Sequence, residues 1–163
     1  MKKLIWILFA VIILLSACAK PPLYQNTVDF YYCVSELQYS AQSSSIASES
    51  RECQHLNTNE DIIRLYLLGP QNSSLRSPFP NDIQLLSMRQ NGSTIYLLLS
   101  TEFSNLNNLE LTLSSSCLAL TVLQLTGAEK VCISAQGALL NGQQAITMTR
   151  ESLLLSDTTM NKE

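Results

Sequence analysis

Lys2 and Lys3 precede an unbroken apolar run of twelve residues, 4–15, and that run decides how the rest of the chain must be read. A membrane-spanning helix needs about 20 apolar residues to cross about 30 Å of hydrocarbon. Twelve behind a basic start is the length of a signal-peptide core instead. Residues 1–17 are therefore expected to be a leader, and the fold is to be sought in the 146 residues 18–163.

The leader closes on Leu15-Ser16-Ala17-Cys18, which resembles a bacterial lipobox. That resemblance implies a diacylglyceryl thioether on Cys18, cleavage before it, and a lipoprotein held on the outer, extracytoplasmic face of the cell membrane. The residue types suit the chemistry: the thiol is the nucleophile for lipid transfer, and the small side chains before it admit a peptidase. Two palmitate-like chains of roughly 15 methylenes at about 0.8 kcal/mol each supply on the order of 20 kcal/mol, so such an anchor is effectively permanent. Residues 18–26 carry Pro21 and Pro22 and no hydrophobic pattern, and are expected to be a tether. Extended, its last eight residues reach about 25 Å.

Composition removes several function classes. The chain has 10 Lys plus Arg against 13 Asp plus Glu, and loss of Lys2 and Lys3 leaves a balance of −5. The basic residues are scattered singly, so no nucleic-acid partner is expected. A negative surface is repelled by anionic headgroups, which leaves the anchoring to the lipid. There is no Gly-x-Gly-x-x-Gly, Walker loop or Cys-x-x-Cys, and no cofactor is implied. His55 is the one histidine, no Gly-x-Ser-x-Gly elbow surrounds any serine, and Ser100 after a strand reads as a capping residue. A wall-cleaving glycosidase would need two acids about 5–10 Å apart in a cleft, and nothing singles out Glu102 and Glu110 for that role. No catalytic and no metal-binding residues are assigned.

The expected elements follow from local signals. Residues 28–34 alternate and are rich in β-branched and aromatic side chains, hence a strand; the run through Cys53 reads as a weak second strand paired to it. Asn57 with Glu60 three residues on opens a helix, and Gly69-Pro70 closes it. Residues 71–81 form a loop. Residues 83–88 and 94–100 flank Asn91-Gly92, a strong hairpin signal. Residues 113–125 read as a second helix and 131–135 as a strand, while 138–163 fade into a polar tail. The order β-(β)-α-β-β-α-β predicts an α+β fold with two helices on one face of a mostly antiparallel sheet.

Several of these segments are similar to the GerMN domain: Leu67-Leu68-Gly69-Pro70 at a helix end, then Leu75-Arg76-Ser77-Pro78-Phe79-Pro80 as a loop. Further on, Leu99-Ser100-Thr101-Glu102-Phe103 resembles its strand and turn, and Leu120-Thr121 with residues 129–137 its ending. The resemblance covers residues 27–137, with Asn81-Asp82 and Leu98 departing from the pattern. It implies a fold like the ring-building motif, in an envelope lipoprotein related to sporulation and spore-germination proteins. It also implies copies that assemble side by side or dock to envelope proteins, and no catalytic residue to carry over.

Two function classes are open on the sequence. One is a non-catalytic scaffold or docking module. Residues 113–125 contain no charge, so one helix face, with Thr121 and Gln124, is a candidate interface to another copy or partner. The other is a binding module for peptidoglycan or a germinant, for which Ser77, Pro78, Phe79 and Pro80 are the candidate binding loop. Cys33, Cys53, Cys117 and Cys132 lack zinc-site spacing; outside the membrane they allow three disulfide pairings, with Cys33–Cys53 suggested by a hairpin.

Overall fold

The structure, a computed structural model, describes residues 27–35, 45–54 and 56–153. Cys18 and His55 lie outside the described residues. The elements in chain order are β1 (Thr27–Val34), β2 (Ile46–Glu52), α1 (Asn59–Leu67), β3 (Leu75–Arg76), β4 (Leu85–Asn91) and β5 (Thr94–Leu99). A 3-10 turn (Thr101–Asn105), α2 (Asn108–Thr126), β6 (Lys130–Ala135) and β7 (Ile146–Thr149) follow. The fold is α+β with mostly antiparallel strands, as expected. The strands divide between two sheets, one ordered β2-β1-β3 and the other β4-β5-β6-β7.

Within the second sheet, β5 and β6 are parallel, because the chain between them returns through α2 and a crossover restores the strand direction. The β4–β5 hairpin pairs Asn91 with Thr94, so Gly92 is the first of two turn residues, and its φ of +59° is one that glycine adopts without strain. β7 pairs with β6 and extends the sheet into the segment that reads as a polar tail. Its four residues, Ile-Thr-Met-Thr, alternate correctly but are too few to stand out from their polar surroundings.

Both helices are set by side-chain caps. Thr58 rather than Asn57 caps α1, accepting the Asp61 N–H at 3.1 Å. α2 starts five residues earlier than its uncharged run suggests. Asn107 accepts the N–H groups of Leu109 and Glu110 at 3.1 and 3.0 Å, while Glu110 reaches back to the Asn107 N–H at 3.1 Å. This capping box contributes about 1 kcal/mol. At the other end Gly127, at φ +68°, stops the helix.

α2 explains how the sheets share one core. It packs on β1 of the first and on β6 and β7 of the second, burying Cys117, Leu118, Ala119, Val122 and Leu123. Length and hydropathy alone would let this helix cross a membrane, but half of it is enclosed by the domain. The other half is exposed or half-buried, and beyond Glu110 it is covered by uncharged side chains such as Thr112, Ser116 and Gln124.

Candidate functional site

The loop Ser77-Pro78-Phe79-Pro80 is held in the core. Phe79 is 6% exposed, and its ring meets Tyr66 edge-on with centroids 5.3 Å apart. The Pro78 carbonyl accepts the Ser114 hydroxyl at 2.5 Å, and Ser77 Oγ accepts the Phe79 N–H at 3.1 Å. The short loop spans α1 and α2, so its one large apolar side chain turns inward. A ligand cannot reach Phe79 in this conformation.

Thr121 and Gln124 do not form a free helix face either. Thr121 is fully buried, and its Oγ1 accepts the Tyr31 N–H at 3.1 Å. The Tyr66 hydroxyl donates to the Tyr31 carbonyl at 2.6 Å. Beyond β3, which covers only Cys33 and Val34, the edge of β1 is thus satisfied by side chains from both helices. Gln124 is exposed and donates to Asp29 Oδ2 at 2.9 Å. Ser100, read as a cap, does stand at the N-cap position of the 3-10 turn, but its hydroxyl accepts the Gln84 N–H at 3.0 Å and so ties the residue before β4 to that turn.

Arg51 is the residue that sequence reasoning undervalued. In a Glu-rich run it reads as solvated, yet its side chain is 7% exposed and is paired with Glu49. Its Nη2 donates to the Gly69 carbonyl at 2.5 Å and to the Tyr32 hydroxyl at 3.2 Å, and the guanidinium lies 5.0 Å from the Phe30 ring centre. Glu49 accepts the N–H groups of Gln71 and Asn72 at 3.1 and 2.9 Å. The pair therefore clips the Gly69-Pro70 turn onto β2. Burial raises the Glu49 carboxyl, but the hydrogen bonds from Asn72, Gln71 and Arg51 outweigh it and hold it below the usual value. Burial pushes the Tyr32 and Tyr66 hydroxyls well up.

None of the four described cysteines is joined in a disulfide in this structure. Cys33–Cys53 pairing is excluded by register: Cys33 faces Ile46 while Thr27 faces Glu52, so Cys53 sits about 20 Å away at the far end of the hairpin. A disulfide needs Cα atoms about 4.4–6.8 Å apart. Cys33 has Cys117 as its thiol neighbour instead, each shifting the other's titration. Among the described residues no cluster of three His, Cys, Asp or Glu could hold a metal ion.

Two surface features are left. The outward side of the four-stranded sheet presents Tyr96, 46% exposed, beside Leu98 and Cys132, with Arg89 and Lys130 exposed. None of its strands carries an acidic residue. On the other side, a cavity of about 180 Å³ opens between α2 and β7. Leu111, Leu140 and Met148 line it, as does Ser115, whose buried hydroxyl has no hydrogen-bond partner among the described residues.

Residues 30–141 match the profile of the Germane family, described as sporulation and spore germination. That span runs from β1 through β6 and exceeds half of the chain. The chain belongs to the Germane family. Two solved structures of the sporulation protein GerM from Bacillus subtilis are similar to it. Its tandem GerMN domains are 15% identical with a TM-score of 0.60, over 83% of this chain and 50% of that one. Its first GerMN domain is 16% identical with a TM-score of 0.56, over 77% of this chain and 98% of that one. At such identity the likeness is one of fold, and this chain spans half the length of the tandem pair, one Germane domain. A Clostridium perfringens structure described as a candidate lipoprotein is 19% identical over 77% of this chain and 87% of that one, with a TM-score of 0.46. None of the curated proteins compared matches the chain.

Proposed function

We propose that this Germane-domain chain is a lipid-anchored docking protein on the extracytoplasmic face of the cell membrane, non-catalytic, acting in sporulation or spore germination. The observation that carries the reading is the open face of the four-stranded sheet. An exposed tyrosine beside Leu98 and Cys132, rimmed by Arg89 and Lys130, has the mixed apolar and cationic character of a protein-binding surface. β2 and α1, in contrast, carry Glu52, Glu60 and Asp61 at the surface against Arg64. Opposite charge on different sides of one molecule favours head-to-tail contacts between copies, or docking on an acidic envelope protein. Cys18 supplies the lipid and residues 18–26 the tether that keeps the domain near the membrane.

Light scattering on residues 20–163 over a concentration series tests the docking reading. Self-association with a mass several times the monomer's is expected, and Arg89→Glu with Lys130→Glu should return a folded monomer. A wild-type monomer at every concentration would refute assembly by the domain alone. For the anchor, Cys18→Ala should move the chain from the detergent phase to the aqueous phase.

A second reading, a binding module for peptidoglycan or a germinant, is favoured by the cavity beside Ser115 rather than by the Phe79 loop. It predicts a melting temperature that rises with muropeptides.

A further inference from the structure

β1 and α2 run side by side in opposite directions, and their cross-contacts advance in step. Gln124 meets Asp29 at 2.9 Å, and Thr121 meets the Tyr31 N–H at 3.1 Å. Two residues of strand advance about 6.6 Å and one helical turn about 5.4 Å, so the next meeting along the pair is Cys33 with Cys117. The two thiols are near enough to perturb one another, and they are 2% and 0% exposed. Arg76 is the β3 neighbour of Cys33. The hydrogen bond from Cys117 and the charge of Arg76 hold the Cys33 thiol below its ordinary value, while the same bond and burial push Cys117 up. Cys53 lies at the far end of the hairpin, and Cys132 lies on the outer side of β6 opposite Thr147.

We propose that Cys33 and Cys117 are a disulfide site, closed outside the membrane by thiol–disulfide exchange with a disulfide-bearing oxidant. Either thiol can open the exchange; with Cys33 first, its thiolate attacks one sulfur of the oxidant, forming a mixed disulfide and expelling the other sulfur as a thiolate. That thiolate takes up the proton of Cys117, whose sulfur attacks the Cys33 sulfur and releases the second sulfur of the oxidant, which is protonated by solvent. The protein thiols lose two electrons, and the oxidant's disulfide is reduced to two thiols. Since both sulfurs are enclosed in the folded domain, exchange takes place before α2 closes over β1. The bond staples the helix shared by both sheets to the central strand of the first. It rests on the extracytoplasmic location proposed above only for the supply of oxidant, not for the pairing.

The test uses the full chain, solubilised in detergent, unfolded, and refolded in a buffer of oxidised and reduced glutathione. Alkylation and peptide mass mapping should give a single Cys33–Cys117 link, with Cys53 and Cys132 alkylated. Reduction should lower the melting midpoint of the wild type by about 10 °C, as expected for opening so long a loop, and leave that of Cys117→Ser unmoved. Four alkylated cysteines in the domain, or a link through Cys53 or Cys132, would overturn the proposal. The mapping is made on the wild type, so its result holds even where Cys117→Ser folds poorly. Location is read separately from protease added outside intact cells; its failure would remove the oxidant and leave the pairing result intact.

Discussion

Replacing Arg51 with methionine should destabilise the domain by about 3 kcal/mol. Methionine keeps much of the apolar stem that lies against Phe30 and Tyr32 but removes the guanidinium, with its ion pair to Glu49 and its bond to the Gly69 carbonyl. Breaking a buried pair by deleting one partner costs about 3–5 kcal/mol, because the surviving charge is left in a poor solvent. The low end applies here, since the N–H groups of Gln71 and Asn72 still serve the Glu49 carboxylate. Against a total stability of about 5–15 kcal/mol this is a large share. With a urea slope of about 2 kcal/mol per molar, the midpoint should move by about 1.5 M, read by circular dichroism. Combining Glu49→Gln with Arg51→Met removes both charges, while the amide oxygen introduced on β2 can still accept a backbone N–H. The double variant should therefore cost at least about 1 kcal/mol less than the sum of the single ones. Amide exchange at Gln71 and Asn72 should also quicken in Arg51→Met. A loss below about 1 kcal/mol, or strictly additive singles, would refute the clip.

Phe79→Ala should cost about 3–4 kcal/mol through the cavity it leaves against Tyr66, seen as a lower thermal midpoint; a neutral outcome would return Phe79 to the surface. Thr121→Arg should prevent folding, while Gln124→Arg should keep the native circular dichroism spectrum and lie within about 0.5 kcal/mol of wild type. Tyr32 and Tyr66 have raised values in the folded state, so the folded chain keeps protons that the unfolded chain releases above about pH 10. Stability should be intact below that point and fall as pH rises past it, and a midpoint unchanged between about pH 8 and 11 would contradict the burial. Glu49 is shifted the other way, so its contribution should be present at neutral pH and vanish as pH drops below about 4.

Local signals carried the elements they belong to. The alternation of 28–34, the Gly69-Pro70 stop and the Asn91-Gly92 hairpin act over a few residues and reappear in the structure with small shifts. The start of α2 was also written locally, in Asn107 and Glu110, but Leu109, Leu111 and Leu113 alternate like a strand and obscured it. The candidate residues fared differently. Phe79, Thr121 and Arg51 are each ambiguous in sequence, since a loop phenylalanine, a helical threonine and an arginine among glutamates are ordinarily surface residues. Nothing nearby in the chain says which neighbours enclose them.

By itself the chain determined the α+β class and the Germane pattern, because periodicity, caps and turn residues act through contacts a few positions apart. Only the tertiary structure decided that the helix over 113–125 packs against both sheets, that Arg51 is buried and that Cys33 lies beside Cys117. Each of those depends on segments tens of residues apart in the chain, such as Tyr31 with Thr121 or Arg51 with Gly69. Which partner a side chain finds at that range is set by how the two sheets close around α2, and that closure is a property of the whole packed core.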